Sequence, residues 1–316
     1  MFTTVDRHAN RFHTTGQPRL NSMHAPSPHA ALLARIPRRD RELTVLGSRT
    51  HLVEYGSADA TTTLVLVHGF RGDHHGLEPV VAHLAGVRIL SPDLPGFGRS
   101  SPLVGHRHDI DGYRAWLDDL LRQLDVRGSA VLLGHSFGSI VVSAAVAHGT
   151  PTPRLILVNP IGAPALSGPR GVLTRAAVLF YRAGAALPSR LGFAVLRSRL
   201  VTRIMSVSMA KTRDRDLRRW IHAEHDRYFS GFATRDMLLE AFRASVSHDV
   251  SEFAADVPVP TLLVAAVDDD ITPIARQREL VRLFPDAQLV EIADVGHLIH
   301  YETPAAAAAA VFEFLA

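Results

Sequence analysis

The chain has 316 residues, 47% of them hydrophobic and 21% charged, which suits one large domain or a core domain carrying an insertion. It contains no cysteine, so disulfides, thiolate catalysis and cysteine-ligated zinc are excluded. The formal net charge is +3 with Lys211 as the sole lysine, so nearly all positive charge is guanidinium.

Residues 1–41 mix His, Arg, Thr, Ser and Pro without sustained periodicity and read as a disordered extension outside the fold, although Ala30 to Ile36 could form a helical turn. Their removal is expected to leave stability nearly unchanged. No continuous hydrophobic signal segment is present, and Arg38-Arg39 is followed by further charge, not by an apolar stretch. No apolar run is long enough to cross a bilayer, so a cytoplasmic protein is the expectation.

Leu43–Leu46 and His51–Tyr55, separated by Gly47-Ser48, predict an antiparallel hairpin. Thr63–Val67 is a continuous β-branched and apolar run, as expected of a strand buried on both faces. Val80–Leu84 fits a helix and Val87–Leu90 a strand. Ile110–Leu124 places Ile110, Tyr113, Trp116, Leu117, Leu120, Leu121 and Leu124 on one helical face. The apolar run Ala130–Leu133 ends in Gly134-His135-Ser136-Phe137-Gly138, and a second apolar run, Ile140–Ala147, follows at once. A strand feeding directly into a helix forces a sharp turn with a strained residue at its apex. Side chains at positions 134 and 138 would collide with the adjoining strand and helix, hence the two glycines. The Ser136 hydroxyl is thereby lifted to the positive end of the following helix.

Leu155–Val158 is the next strand. From about Gly162 to Val250 the alternation of strands and helices stops, and the segment is helical in pattern, with breaks at Gly168-Pro169, Leu187-Pro188-Ser189 and Gly231. It resumes with the run Pro260–Val267, a helix around Ile274–Leu283, a strand at Gln288–Ile292 and a terminal helix opening at Thr303-Pro304. The pattern predicts a doubly wound, mostly parallel sheet over residues 42–161 and 251–316, interrupted once by a helical insertion at 162–250.

The turn at Ser136 resembles the nucleophile elbow of the α/β-hydrolase superfamily, and the resemblance covers residues 42–316, with the insertion where many members carry a helical cap. His68-Gly69-Phe70 and Asp93-Leu94-Pro95-Gly96-Phe97-Gly98-Arg99-Ser100 are two further stretches of that kind. The resemblance implies a triad in chain order serine, acid, histidine. His297, in Val295-Gly296-His297, follows a strand and precedes the last helix, matching the base. Asp268-Asp269-Asp270-Ile271-Thr272-Pro273 offers three carboxylates, of which the family's pattern selects Asp269, 28 residues before His297. The backbone N–H groups of Phe70 and Phe137 are the implied oxyanion donors. His68 and His300 are read as structural, Arg99 as half of an ion pair, and His74-His75 as surface residues without a third metal ligand. Glycines 96 and 98 could suggest a phosphate cradle, but the dinucleotide context is missing.

The expected activity is that of a serine hydrolase cleaving a carboxylic ester or related acyl bond, without cofactor or metal. A carbon–carbon hydrolase of the meta-cleavage-product type uses the same triad and stays open, as does a non-catalytic, ligand-binding member of the fold. Serine at the elbow argues against epoxide hydrolases and haloalkane dehalogenases, which use aspartate there. The expected partner is a small molecule with an apolar part; no nucleic acid and no integral membrane association are expected. Between Leu166 and Trp220 the insertion carries twelve basic residues and two acidic ones. It is read as a cap whose apolar faces cover the pocket while its arginines face water, with peripheral lipid contact as the other reading.

Overall fold

The computed structural model describes residues 27–163 and 171–316. Its centre is an eight-stranded sheet in the order β1-β2-β4-β3-β5-β6-β7-β8. The strands are β1 (Arg38–Val45), β2 (Ser48–Tyr55), β3 (Thr63–Val67), β4 (Arg88–Pro92), β5 (Val131–His135), β6 (Leu155–Val158), β7 (Thr261–Ala266) and β8 (Ala287–Ile292). β1, β2 and β4 pair antiparallel; every other pairing is parallel. The expected hairpin forms, with its turn at Leu46-Gly47 and not at Gly47-Ser48; their φ of 45° and 72° are the left-handed pair that matches strand twist in a two-residue turn.

Strand alternation divides the core into two. Val65, Val67 and Leu132 pack with Trp116, Leu117 and Leu120 on one face of the sheet. Leu64, Leu66, Val131 and Leu133 pack with Val80, Val81, Ala307 and Val311 on the other. The covering helices are α1 (Ala30–Leu33), α2 (Glu78–Val81), α3 (Ile110–Gln123) and α4 (Phe137–Ala147) before the insertion. The insertion itself contains α5 (Gly171–Ala186), α6 (Ser189–Leu196), α7 (Arg199–Met209), α8 (Arg215–Tyr228) and α9 (Arg235–Ser247). After it come α10 (Ile274–Leu280), α11 (Ile299–Glu302) and α12 (Pro304–Leu315), the last holding the alanine run. The break expected at Gly168-Pro169 lies outside the described residues. Val250 N–H donates to Ile161 O at 2.8 Å, so the chain returns to the point where it left the core.

Order begins before Glu42, which corrects the boundary at residue 41. Arg38–Arg41 pair with Leu52–Tyr55, Asp40 accepts from His51 Nε2 at 3.0 Å, and Leu33 and Ile36 pack on the second core. The charged sequence of β1 is that of an edge strand, which needs a partner on one side only. Residues 1–26 lie outside the described residues. Truncation before Glu42 removes half of β1, so it should lower the melting temperature by about 5 °C or more in a thermal melt.

Candidate active site

Every candidate group stands where a strand meets its loop at the carboxyl edge of the sheet, as is general for open α/β folds. Ser136 follows β5 with φ 52° and ψ −119°, a strained conformation held by its surroundings. A side chain at Gly134 would meet Gly138 O at 2.4 Å, and one at Gly138 would meet Val67 O at 2.1 Å. Neither position can carry a Cβ while α4 lies this close to β3 and β5.

His297 Nε2 is 3.0 Å from Ser136 Oγ, and His297 Nδ1 is 2.8 Å from Asp269 Oδ2. Asp269 also accepts from the Ile271 N–H at 2.7 Å, the Thr272 N–H at 3.1 Å and the Thr272 hydroxyl at 2.5 Å. Burial alone would raise its carboxyl pKa. The facing imidazole and these hydrogen bonds outweigh that and hold it well below the usual carboxylate range. Asp268 and Asp270 are both exposed, and Asp270 pairs with Lys211. Of the three neighbouring carboxylates, the geometry therefore brings only Asp269 to the imidazole.

Gly69 lies against the serine: a Cβ there would come within 3.2 Å of Ser136 Cβ. Phe70, the next residue, lines the same cavity as Ser136. The Phe137 N–H, at the first position of α4, has no intrahelical acceptor. The two phenyl rings meet edge to face at 6.4 Å. Beside the serine opens a cavity of about 270 Å³, walled by Phe70, Phe137, Phe229, Phe242, Met205 and Met209.

Several residues here carried no sequence signal. Asn159, at φ 42° after β6, donates to His297 O at 3.0 Å and accepts from the Ala266 N–H at 2.8 Å, which ties the histidine loop to β7. Arg71 is fully buried, with no carboxylate against it among the described residues. Its guanidinium donates to Phe229 O at 3.0 Å, Leu196 O at 2.9 Å and the Tyr181 hydroxyl at 3.2 Å. Two of these acceptors close the carboxyl ends of α6 and α8, where the helix dipole is negative. The residue next to Phe70 thus binds three helices of the insertion to the core.

His135, His225 and His300 also line the cavity, and ring atoms His135 Nε2 and His300 Nδ1 are buried without a hydrogen-bond partner. Burial pushes all three rings down, helped by neighbouring imidazoles: His135 and His225 to about 3, and His300 well below its ordinary value. A histidine on an apolar helix face, as His225 is on α8, was the available hint.

His68 is the structural residue expected. It accepts from the Leu94 N–H at 2.8 Å through Nε2 and bonds Gly69 O through Nδ1. His74 and His75, by contrast, are not surface residues. His74 is buried and bonded to Asp93 at 2.7 Å, and His75 is half-buried and bonded to Asp73 at 3.1 Å. His51, His74 and Asp93 lie close enough together to share a cation. The Asp93 oxygens, however, already accept from the two imidazoles and from the N–H groups of His74 and Arg99, which closes the network on itself. The glycines at 96 and 98 do not form an anion cradle, because a Cβ on Gly98 would meet the Asp93 carboxylate at 2.5 Å. Arg99 pairs with Asp40 at 3.2 Å.

A model of the alpha/beta hydrolase fold family matches residues 62–304. The chain belongs to this family. As a member of the alpha/beta hydrolase fold family it is a hydrolase enzyme. It is 28% identical over 255 residues to the magnesium-chelatase 30 kDa subunit of Rhodobacter capsulatus, which covers 79% of this chain and 84% of that one. It is 25% identical over 260 residues to lipase 1 of Psychrobacter immobilis, covering 80% and 76% respectively. To a 2-hydroxy-6-oxononadienedioate/2-hydroxy-6-oxononatrienedioate hydrolase of Cupriavidus pinatubonensis it is 26% identical over 290 residues, covering 86% and 88%.

Proposed function

We propose that this hydrolase cleaves carboxylic esters through an acyl-enzyme on Ser136. The observation that carries the reading is the line Ser136 Oγ–His297 Nε2–Asp269, at 3.0 Å and 2.8 Å, on the floor of an apolar cavity. His297 takes the hydroxyl proton as the oxygen attacks the ester carbonyl. The developing oxyanion is held by the N–H groups of Phe70 and Phe137. His297 then protonates the departing alkoxide, and the alcohol leaves. Water enters, gives its proton to the same imidazole, and attacks the acyl carbon. Collapse of that adduct returns the proton to Ser136 and releases the acid. Asp269 keeps Nδ1 protonated throughout, so that Nε2 faces the serine.

The name of the Psychrobacter relative supports an ester; that of the Cupriavidus relative points to a substrate with carboxylates. The cavity favours the ester. Among the described residues no Arg or Lys lines it, and the pKa values of His68, His135, His225 and His300 are all lowered. A substrate carboxylate would be buried without a cation. A fluorophosphonate probe should label Ser136 in the wild type and leave Ser136→Ala unlabelled. In an activity panel, p-nitrophenyl esters should turn over with a preference for chains longer than acetyl, and a dienone acid should not. Labelling without ester turnover, or faster turnover of the dienone acid, would overturn the substrate assignment. Absence of both labelling and turnover would leave a binding protein.

A further inference from the structure

The outward face of α7 is apolar, and its inward side is mixed: Met205 and Met209 line the cavity beside the buried Thr202 and Ser206. Leu200, Ile204 and Val207, spaced to share one side of the helix, are 70%, 60% and 58% exposed. On the opposite side Thr202 and Ser206 are buried. The Ser206 hydroxyl contacts His222 Nδ1 at 2.6 Å and His225 Nδ1 at 2.7 Å, and the Thr202 hydroxyl contacts that of Ser230 at 3.3 Å. Elsewhere in the cap, Leu179 and Leu191 are exposed by 65% and 59%. Apolar residues of the cap thus stand on its outer surface as well as over the cavity. A helix with its aliphatic stripe outermost is partnered by something other than water.

Charge identifies the partner. The segment from Leu166 to Trp220 holds twelve basic and two acidic residues, leaving 22 basic and 29 acidic residues to the rest of the chain. Arg182, Arg190 and Arg199 are exposed on α5, α6 and the start of α7. A second copy docking face to face would bring two strongly basic segments together. An anionic bilayer instead receives the aliphatic stripe among its acyl chains and the guanidinium groups among its headgroups.

We propose that the cap binds anionic membrane surfaces through the outer face of α7. Met205 and Met209, on the same helix, line the cavity over Ser136. One helix therefore separates the bilayer from the active site, and a membrane-dissolved substrate would enter beside it. Among the described residues no helix is long and apolar enough to cross a membrane, so the attachment is peripheral.

The test is co-sedimentation of the full chain with phosphatidylcholine vesicles, with and without phosphatidylglycerol; it needs no knowledge of the substrate. The wild type should bind the mixed vesicles and leave the pure phosphatidylcholine ones. Leu200→Ser/Ile204→Ser/Val207→Ser should weaken binding at every salt concentration. Arg182→Glu/Arg190→Glu/Arg199→Glu should weaken it by roughly a hundredfold or more at low salt, and much less at high salt. Both variants should keep the wild-type melting temperature, because every altered side chain is exposed. Failure of the wild type to bind either vesicle would overturn the proposal. So would a wild-type dimer that becomes monomeric in the serine variant, because the stripe would then be a contact between copies.

Discussion

Asp269→Asn should lower kcat for a soluble ester by about 10⁴, while Asp268→Asn and Asp270→Asn should stay within a few-fold of wild type. The reason is the direction of one proton. A carboxylate can only accept, so it fixes the hydrogen on His297 Nδ1 and leaves Nε2 free to take the proton of Ser136. An amide at 269 can turn its NH2 toward Nδ1, which places the hydrogen on Nε2 and leaves the serine without a base. The bonds from Ile271, Thr272 and the Thr272 hydroxyl keep the position ordered, so the variant should stay folded and the loss should appear chiefly in kcat. Asp268 and Asp270 are exposed, and a mutant there removes solvated charge. Steady-state kinetics of the three variants decides the assignment; a dead Asp268→Asn enzyme beside an active Asp269→Asn one would overturn it.

The second large effect is on stability in acid. His135, His225 and His300 have pKa values well below 6.5 in the fold, while the unfolded chain binds a proton at each near 6.5. The unfolded state therefore holds more protons between the two values. Their contribution is complete above about pH 6.5 and is lost as the pH falls toward 3. Each ring withdraws about 1.4 kcal/mol per pH unit in that window, against a total stability of roughly 5–15 kcal/mol. His51 and His75 work in the opposite sense. Burial lowers them, but the carboxylates of Asp93 and Asp73 more than compensate, so part of the loss is returned. Asp269, with its pKa depressed, adds a loss only below the unfolded carboxylate value near 3.9, a separate window. The melting temperature should fall steeply from pH 6.5 to pH 5, and His300→Phe should flatten that fall. A flat profile for the wild type over this range would show that the three rings are protonated in the fold.

The core was legible because its signals are local. The run Thr63–Val67 needs both faces covered whatever else the chain does, and two glycines around Ser136 state a steric requirement that the neighbouring backbone atoms then explain. The positions of Asp269 and His297 followed from matching a family pattern, and the geometry brings His297 to the serine and Asp269 to His297. What failed depended on contacts far along the chain. Arg38-Arg39-Asp40-Arg41 looks like a solvated tail until β2 supplies its partner. His74 looks like a surface residue until Asp93, nineteen positions on, accepts a hydrogen bond from its ring. α7 leaves Leu200, Ile204 and Val207 outermost, while Ser206 and Thr202 sit inward with Met205 and Met209 and serve a buried network that no periodicity announces.

The hydrogen bond from Val250 to Ile161 makes the cap a closed loop in the polymer sense. Closure entropy grows only with the logarithm of loop length, so doubling such a segment costs about 0.6 kcal/mol. The sheet is thus nearly indifferent to how much chain is spliced in at this point, although the cavity beside Ser136 takes Met205, Met209, Phe229 and Phe242 from that segment. A second constraint on exchanging it is electrostatic. Arg71 stands in the core with its donors spent on the carboxyl ends of two cap helices and on Tyr181. Any graft that failed to present carbonyls to the same guanidinium would strand a buried cation one residue from Phe70.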